Sequence, residues 1–431
     1  MLAANGRAPT SPARLNPGWP VPRGEAGAGL IVSRDHLRMN QVGSTPARVV
    51  SCCGNMVLPH GLEFAAFQML ENLREHGATI HCIVNDWENH RIVELAQQIG
   101  ASWSEGPYAA RINKRSLRPN EFLRTYRTVA ATSNDLVQRA TEIAATHVHI
   151  PDFAIVLRTF PALMRLPARG VKVVFQVANA PATERFYPRL WRHGVAPFVD
   201  VFVPNSQFTK TELGRIGVPA AKIAEPIHPV GRHALPRASA DGKRDFSRIV
   251  FVGQTIPQKG LHVLLEAMSI LVARGYSPIL DVVGQMDGWE HPNFRGYRQS
   301  LVDRANASDL ANRVHFHGYL SDVPSVLDRA GIHCCPSLPE LREGFGLVNI
   351  EAKRAGLPSV VFPSGALPEL VAHRVDGWIC THATAESLAE GLQYFLEDSG
   401  RTERAGSCAR NSAEAFSSAR ANKAWRIVFG M

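Results

Sequence analysis

The chain has 431 residues, 45% of them hydrophobic and 20% charged, with a formal net charge of +9. That length exceeds one compact core and implies two domains, while the composition is that of an ordinary globular protein. No apolar run approaches the roughly 18 residues of a membrane span. Seven cysteines without a C-x-x-C, several of them inside apolar runs, point to free buried thiols in a reducing compartment, read as the cytoplasm.

Residues 1–47 are rich in Pro, Gly, Ala and Arg, poor in acids, and lack the apolar centre of a secretory signal. They read as a disordered leader, with Met39 as an alternative start. RVVSCC (48–53) then reads as a strand. FAAFQMLENLREHG (64–77) follows as a helix with Phe64, Phe67, Leu70 and Leu73 on one face and Gly77 as its stop. TIHCIV (79–84) is the next strand. The segment 111–127, RINKRSLRPNEFLRTYR, carries six Lys or Arg against one Glu. It suits an anionic membrane surface or a phosphorylated substrate, or is simply a solvated basic helix face. Nucleic acid fits least, because neither a Cys/His finger nor a stacked-aromatic motif accompanies it. VKVVFQV (171–177) and DVFVPNS (200–206) continue the strand–helix rhythm of a parallel sheet.

Residues 231–247, GRHALPRASADGKRDFS, interrupt that rhythm with a polar, charged linker. A second series begins with RIVFVG (248–253) and LHVLLEAMSILVARG (261–275), whose Leu261, Leu264, Met268 and Leu271 form an apolar stripe. ILDVVG (279–284), VHFHG (314–318), IHCCPS (332–337) and LPSVVF (357–362) read as further strands. The organisation is thus an α/β N-terminal domain over 48–230 and an α/β C-terminal domain over 248–414. A last helix, about 415–431, returns to the first domain. Ligands of such sheets bind at the carboxyl ends of the strands, so two facing domains place a substrate in the cleft between them.

Two stretches carry candidate chemistry. In FVGQTIPQKG (251–260) a strand ends at Gly253, a loop with Gln254 follows, and Lys259 precedes a helix whose N-terminus attracts anions. The alternative is an ordinary strand-to-helix turn with a surface lysine. In EGFGLVNIE (343–351) the glycines flank Phe345, and a helix starts near Phe345 or Gly346. The amides of Gly344, Phe345, Gly346 and Leu347 then offer an anion site, with Glu343 just before it and Glu351 about two turns on. Carboxylates accept well from paired sugar hydroxyls. The plain alternative is a capping glutamate followed by a surface one. SGALPE (364–369) adds another turn, ending in Glu369.

Taken in order, the Gly253 loop with Lys259, VHFHGYL, PS, E-x7-E and the turn with PE resemble the donor domain of retaining GT-B glycosyltransferases, specifically glycosyltransferase family 4. The likeness is close over 244–400 and looser over 48–230. It implies two Rossmann-like domains facing a central cleft, and transfer of a hexose from a UDP- or GDP-sugar without a metal. By resemblance, Lys259 binds the donor diphosphate and Glu351 the ribose, while Glu343 contacts the transferred sugar. Gly253, Gln254 and the 344–347 amides line the donor, the backbone from Phe316 to Tyr319 meets the base, and the turn before Glu369 lies near the phosphates. His60 and Gly61 in PHGLE (59–63) resemble the glycine loop that approaches phosphate or acceptor.

Three positions depart from the family pattern. Gln254 stands where Arg is usual, Ala178 and Asn179 follow FQV where a His is common, and SGALPE replaces GGxPE. Retention is expected through front-face attack assisted by the departing phosphate, with Glu343 as a positioning group. The acceptor implied is a glycan, a lipid-linked glycan or a small-molecule hydroxyl, met by a cytoplasmic protein with a peripheral contact at the inner membrane face. The departures support a second reading, a nucleotide-sugar-binding protein with weak or no catalysis. A Rossmann oxidoreductase is disfavoured, because no G-x-G-x-x-G follows a strand.

Overall fold

The computed structural model describes residues 46–53, 61–108, 118–183, 187–230, 244–287, 292–320 and 322–431. Most of the leader, His60, residues 111–117 and most of the 231–247 segment lie outside them.

Two six-stranded sheets organise the chain. The first contains β1 (Arg48–Cys52), β2 (Thr79–Asn85), β3 (Ser102–Gly106), β4 (His147–Ile150), β5 (Lys172–Val177) and β6 (Val201–Pro204), in the order β3-β2-β1-β4-β5-β6. The second contains β7 (Asp245–Val252), β8 (Ile279–Val283), β9 (Val314–Gly318), β10 (Ala330–Cys335), β11 (Ser359–Val361) and β12 (Gly377–Ile379), ordered β12-β11-β10-β7-β8-β9. Every strand pairing within the sheets is parallel. Counted from its own first strand, the second sheet repeats the order of the first. Each is a doubly wound Rossmann-type sheet whose strand order reverses at the first strand.

The apolar runs become strands because they are covered on both faces. All six residues of β10 are buried, as are all four of β4. The helix Gly61–Glu75 buries Phe67, Leu70 and Leu73 against the first sheet. The helix Leu261–Ala273 buries Leu261, Leu264, Met268 and Leu271 against the second. The last helix, Ser418–Val428, packs on the first sheet: Ala421, Trp425 and Phe429 join the cluster of Phe67 and Leu70, and Arg426 Nη1 donates to Asn72 Oδ1 at 2.9 Å.

β7 starts at Asp245, before the RIVFVG run. The Asp245 carboxylate accepts from the Ser247 amide at 2.9 Å and the Ser247 hydroxyl at 2.6 Å, which tightens the start of the strand. β3, β4 and β12 have no counterpart among the apolar runs. β3 reads SWSEG, with three exposed residues on a sheet edge. β12 is three residues long at the opposite edge of its sheet. β4 reads HVHI, and its histidines satisfy themselves locally. His149 is hydrogen-bonded to Ser51 Oγ at 2.8 Å and Gln176 Oε1 at 3.1 Å, and His147 to Thr146 Oγ1 at 2.9 Å.

Burial holds the His147 and His149 imidazoles at about 4 and the His333 imidazole at about 3, below their ordinary value. The unfolded chain therefore binds protons that the folded chain refuses. Stability is fully present above an unfolded pKa of about 6.5 and is lost as pH falls towards the folded values. The urea midpoint is thus expected to be lower at pH 5 than at pH 7.5, each histidine contributing about 2 kcal/mol between those two pH values. In His333→Asn the difference between the two midpoints shrinks; an unchanged difference would show that His333 does not carry it.

Candidate active site

The carboxyl ends of β7 and β10 meet where the two central strands of the second sheet pair. After β7 the chain makes a short turn, Pro257–Lys259. It leaves through Gly260, whose φ of +71° is the left-handed conformation that glycine tolerates. A Cβ at Gly260 would lie 2.0 Å from the Pro336 carbonyl oxygen, so only glycine lets this turn lie against the chain leaving β10. The Leu338 amide donates to the Gln258 carbonyl at 2.8 Å and laces the two loops together.

That lacing brings Lys259 to Glu343. The ammonium donates to Glu343 Oε2 at 2.6 Å, and Ser337 Oγ donates to the same oxygen at 3.0 Å. The side chains are 22% and 15% exposed, so the pair is partly withdrawn from water but reachable. Burial works against the Lys259 charge, and the Glu343 carboxylate more than offsets it, raising the lysine above its ordinary value. Lys259 is therefore cationic at neutral pH.

Glu343 is held from behind. Its carbonyl accepts from the Ala366 amide at 2.8 Å, and Gly365 lies so close that a Cβ there would be 2.2 Å from the same oxygen. Ser364, the departure from a double glycine, is buried and donates to the Leu338 carbonyl at 2.8 Å. The residue before Glu343 is Arg342, at φ 51° and ψ 56°. A side chain in this left-handed region costs about 1–2 kcal/mol, so the surroundings must hold it there.

The helix after the glycines is Leu347–Arg354. It is entered through Gly346 at φ 80°, and no side chain caps it. Its first amides are therefore available to an anion. Leu347 and Glu351, four apart, share one helix face. A Cβ on Gly61 would lie 3.3 Å from Leu347 Cδ2, so this face meets the start of Gly61–Glu75 across the cleft. Gly344 makes a close approach to the first domain: a Cβ there would lie 2.0 Å from the Ala178 carbonyl oxygen. The strand end that lacks a histidine thus contributes backbone at this point, and Asn205 Nδ2 donates to the same carbonyl at 2.7 Å.

Other candidates are placed differently. Gln254 and Tyr319 are exposed at the carboxyl ends of β7 and β9, and Phe316 packs partly against the second core. The Phe345 ring is buried and stacks on His228 of the first domain with centroids 5.2 Å apart, beside Phe416. Phe345 therefore joins the domains, while its amide stays in the helix-start turn. The Glu369 carboxylate accepts from the Gln207 and Phe208 amides, at the start of the helix Gln207–Arg215 in the first domain. The sequence marked Ser337 only as part of the PS element and signalled none of His228, Arg298 or Arg342. Arg298 Nε donates to Thr255 Oγ1 at 3.2 Å and Nη1 to the Asp287 carbonyl at 2.6 Å, setting a second cation beside the 253–255 loop.

The arrangement is a cleft with one cation held by a carboxylate, an uncapped helix start beside it, and a further carboxylate one turn along. Among the described residues, no group of three or more His, Cys, Asp or Glu side chains is placed to hold a metal ion, and no helix is long and apolar enough to cross a membrane.

Residues 237–412 match the family described as glycosyl transferases group 1. The amylovoran biosynthesis glycosyltransferase AmsK of Erwinia amylovora is 27% identical over 206 residues, 47% of this chain and 48% of its own length. The chain spans about half the length of the curated relatives it matches. A glycosyltransferase structure from Rickettsia africae superposes with a TM-score of 0.70 at 16% identity, over 90% of this chain and 98% of the other. Anabaena HepE in complex with UDP-glucose superposes with a TM-score of 0.69 at 19% identity, over 89% and 99%. At these identities the superpositions establish the fold, two Rossmann-like domains facing a central cleft. Residues 237–412 are thus similar to the glycosyl transferases group 1 family, and the chain that carries them has the GT-B fold.

Proposed function

We propose that this chain is a retaining glycosyltransferase that moves a hexose from a nucleotide-diphosphate sugar to a hydroxyl of a glycan, lipid-linked or small-molecule acceptor, without a metal. The observation that carries the proposal is the Lys259–Glu343 ion pair beside an uncapped helix start. The complex of Anabaena HepE with UDP-glucose supports a donor of that class here. Before a donor arrives, each charge of the pair satisfies the other. An arriving diphosphate competes for Lys259, and the ammonium moves from carboxylate to phosphate. Glu343, still held by Ser337, is then released to accept hydroxyls of the sugar. As the glycosidic bond breaks, charge gathers on the leaving phosphate, where Lys259 and the helix-start amides stabilise it. Glu351, one turn into the helix, reaches the ribose hydroxyls.

The acceptor belongs to the first domain in this reading, and the basic segment at 111–127 supports a peripheral contact with an anionic membrane. Its described part begins the helix Pro119–Glu142. Phe122, Leu123 and Tyr126 are exposed there at 56%, 54% and 62%, beside the exposed Arg124 and Arg127. Aromatic residues among arginines suit a headgroup interface.

Calorimetry with UDP- and GDP-sugars checks the donor assignment. One donor class is expected to bind, Glu351→Ala to weaken it, and Lys259→Ala to lower turnover by about 10²–10³-fold, the usual loss for one preorganised stabiliser of developing charge. Donor binding with no turnover in the wild type would favour a binding protein, and no binding at all would remove the nucleotide-sugar reading. Cosedimentation with vesicles containing phosphatidylserine checks the membrane contact. Arg124→Glu/Arg127→Glu should weaken binding, and equal binding by both proteins would refute the contact.

A further inference from the structure

Three contacts from the donor side converge on one helix of the first domain, Gln207–Arg215. The Glu369 carboxylate takes the amides of Gln207 and Phe208. Arg342 Nη2 donates to Glu212 Oε2, and its guanidinium lies 5.8 Å from the Phe208 ring centroid. Arg342 Nη1 also donates to the Pro181 carbonyl at 3.0 Å. Glu212 is 3% exposed, and its other oxygen takes Arg215 at 2.8 Å. One buried carboxylate is therefore shared between a cation of its own helix and a cation of the opposite domain.

Arg342 immediately precedes Glu343 and is held in the left-handed conformation. Its backbone sets the direction in which Glu343 leaves, and among the described residues its side-chain hydrogen bonds all reach across the cleft. A cavity of about 470 Å³ borders the contact, lined by Phe208, Glu212 and Arg215 on one side and Pro339, Arg342 and Gly365 on the other. On that side the guanidinium is held by polar contacts, to Glu212 and the Pro181 carbonyl, and by the Phe208 ring. We infer that Arg342 is a positioning residue that, through Glu212, sets the Glu343 carboxylate in place only when the two domains are closed. The inference rests on the transferase reading for the role of Glu343, while the contact itself is independent of it.

The opposite order of events has a distinct signature. Were Arg342 a direct donor ligand, its loss would weaken nucleotide binding; a positioning residue acts after binding. The test uses the full chain and three variants, Arg342→Ala, Arg342→Lys and Glu212→Gln, each checked for an unchanged thermal transition. UDP and GDP affinities are measured by calorimetry, turnover by donor consumption, and the radius of gyration by small-angle scattering with and without nucleotide. Arg342→Ala should bind nucleotide within about twofold of wild type yet turn over at least about tenfold more slowly, a loss of orientation rather than of affinity. It should also remain more extended with nucleotide present. Arg342→Lys should recover part of the turnover, and Arg342→Ala/Glu212→Gln should be no slower than Arg342→Ala alone. Affinity falling in step with turnover, additive losses in the double variant, or unchanged turnover and radius would each overturn the proposal. If the wild type binds neither nucleotide, the transferase reading fails. The clasp is then decided by scattering alone, where an unchanged radius in Arg342→Ala refutes it.

Discussion

The ion pair between Lys259 and Glu343 is the contact on which the cleft depends. It joins the loop leaving β7 to the loop leaving β10, strands that lie side by side at the reversal of the sheet order. Much of the surrounding geometry exists so that these two loops can touch. Gly260 allows the backbones to approach, Leu338 and Gln258 lace them, and Gly365 lets the next turn support Glu343 from behind. A partly buried charge needs a partner or a proton. In the proposed reading an anionic ligand replaces that partner, and the pair is both a structural contact and a stand-in for the ligand.

The same economy appears between the domains. Gly344 and Gly61 are both points where the two domains approach around the helix start, and at Gly344 the missing side chain is what permits the approach. Around them the contacts are specific: Phe345 on His228, Arg342 on Glu212, Glu369 on the amides of Gln207 and Phe208. The motif stretch EGFG thus has two faces, one towards the ligand cleft and one towards the partner domain.

Much of the architecture was legible in the sequence, because strands buried on both faces read as continuous apolar runs and the helices kept clean stripes. β3, β4 and β12 escaped because a polar edge strand, a His-alternating strand and a three-residue strand lack that signal. The candidate site residues stood out only as an ordered set, since a lysine after a glycine loop or a glutamate before a helix is common alone. The Lys259–Glu343 pair was not foreseen, because 84 residues separate its members and only the topology brings them together. Arg342, Arg298 and His228 were invisible for the same reason: each acts through a partner distant in sequence, and no local pattern marks it.

The most direct measurement is a crystal structure of the full chain with the nucleoside diphosphate that binds it. The account predicts Lys259 Nζ within hydrogen-bonding distance of a phosphate oxygen, Glu343 parted from it but still held by Ser337, and Glu351 on the ribose hydroxyls. A nucleotide bound with the Lys259–Glu343 pair intact, or bound away from the helix start at Gly346, would contradict the account.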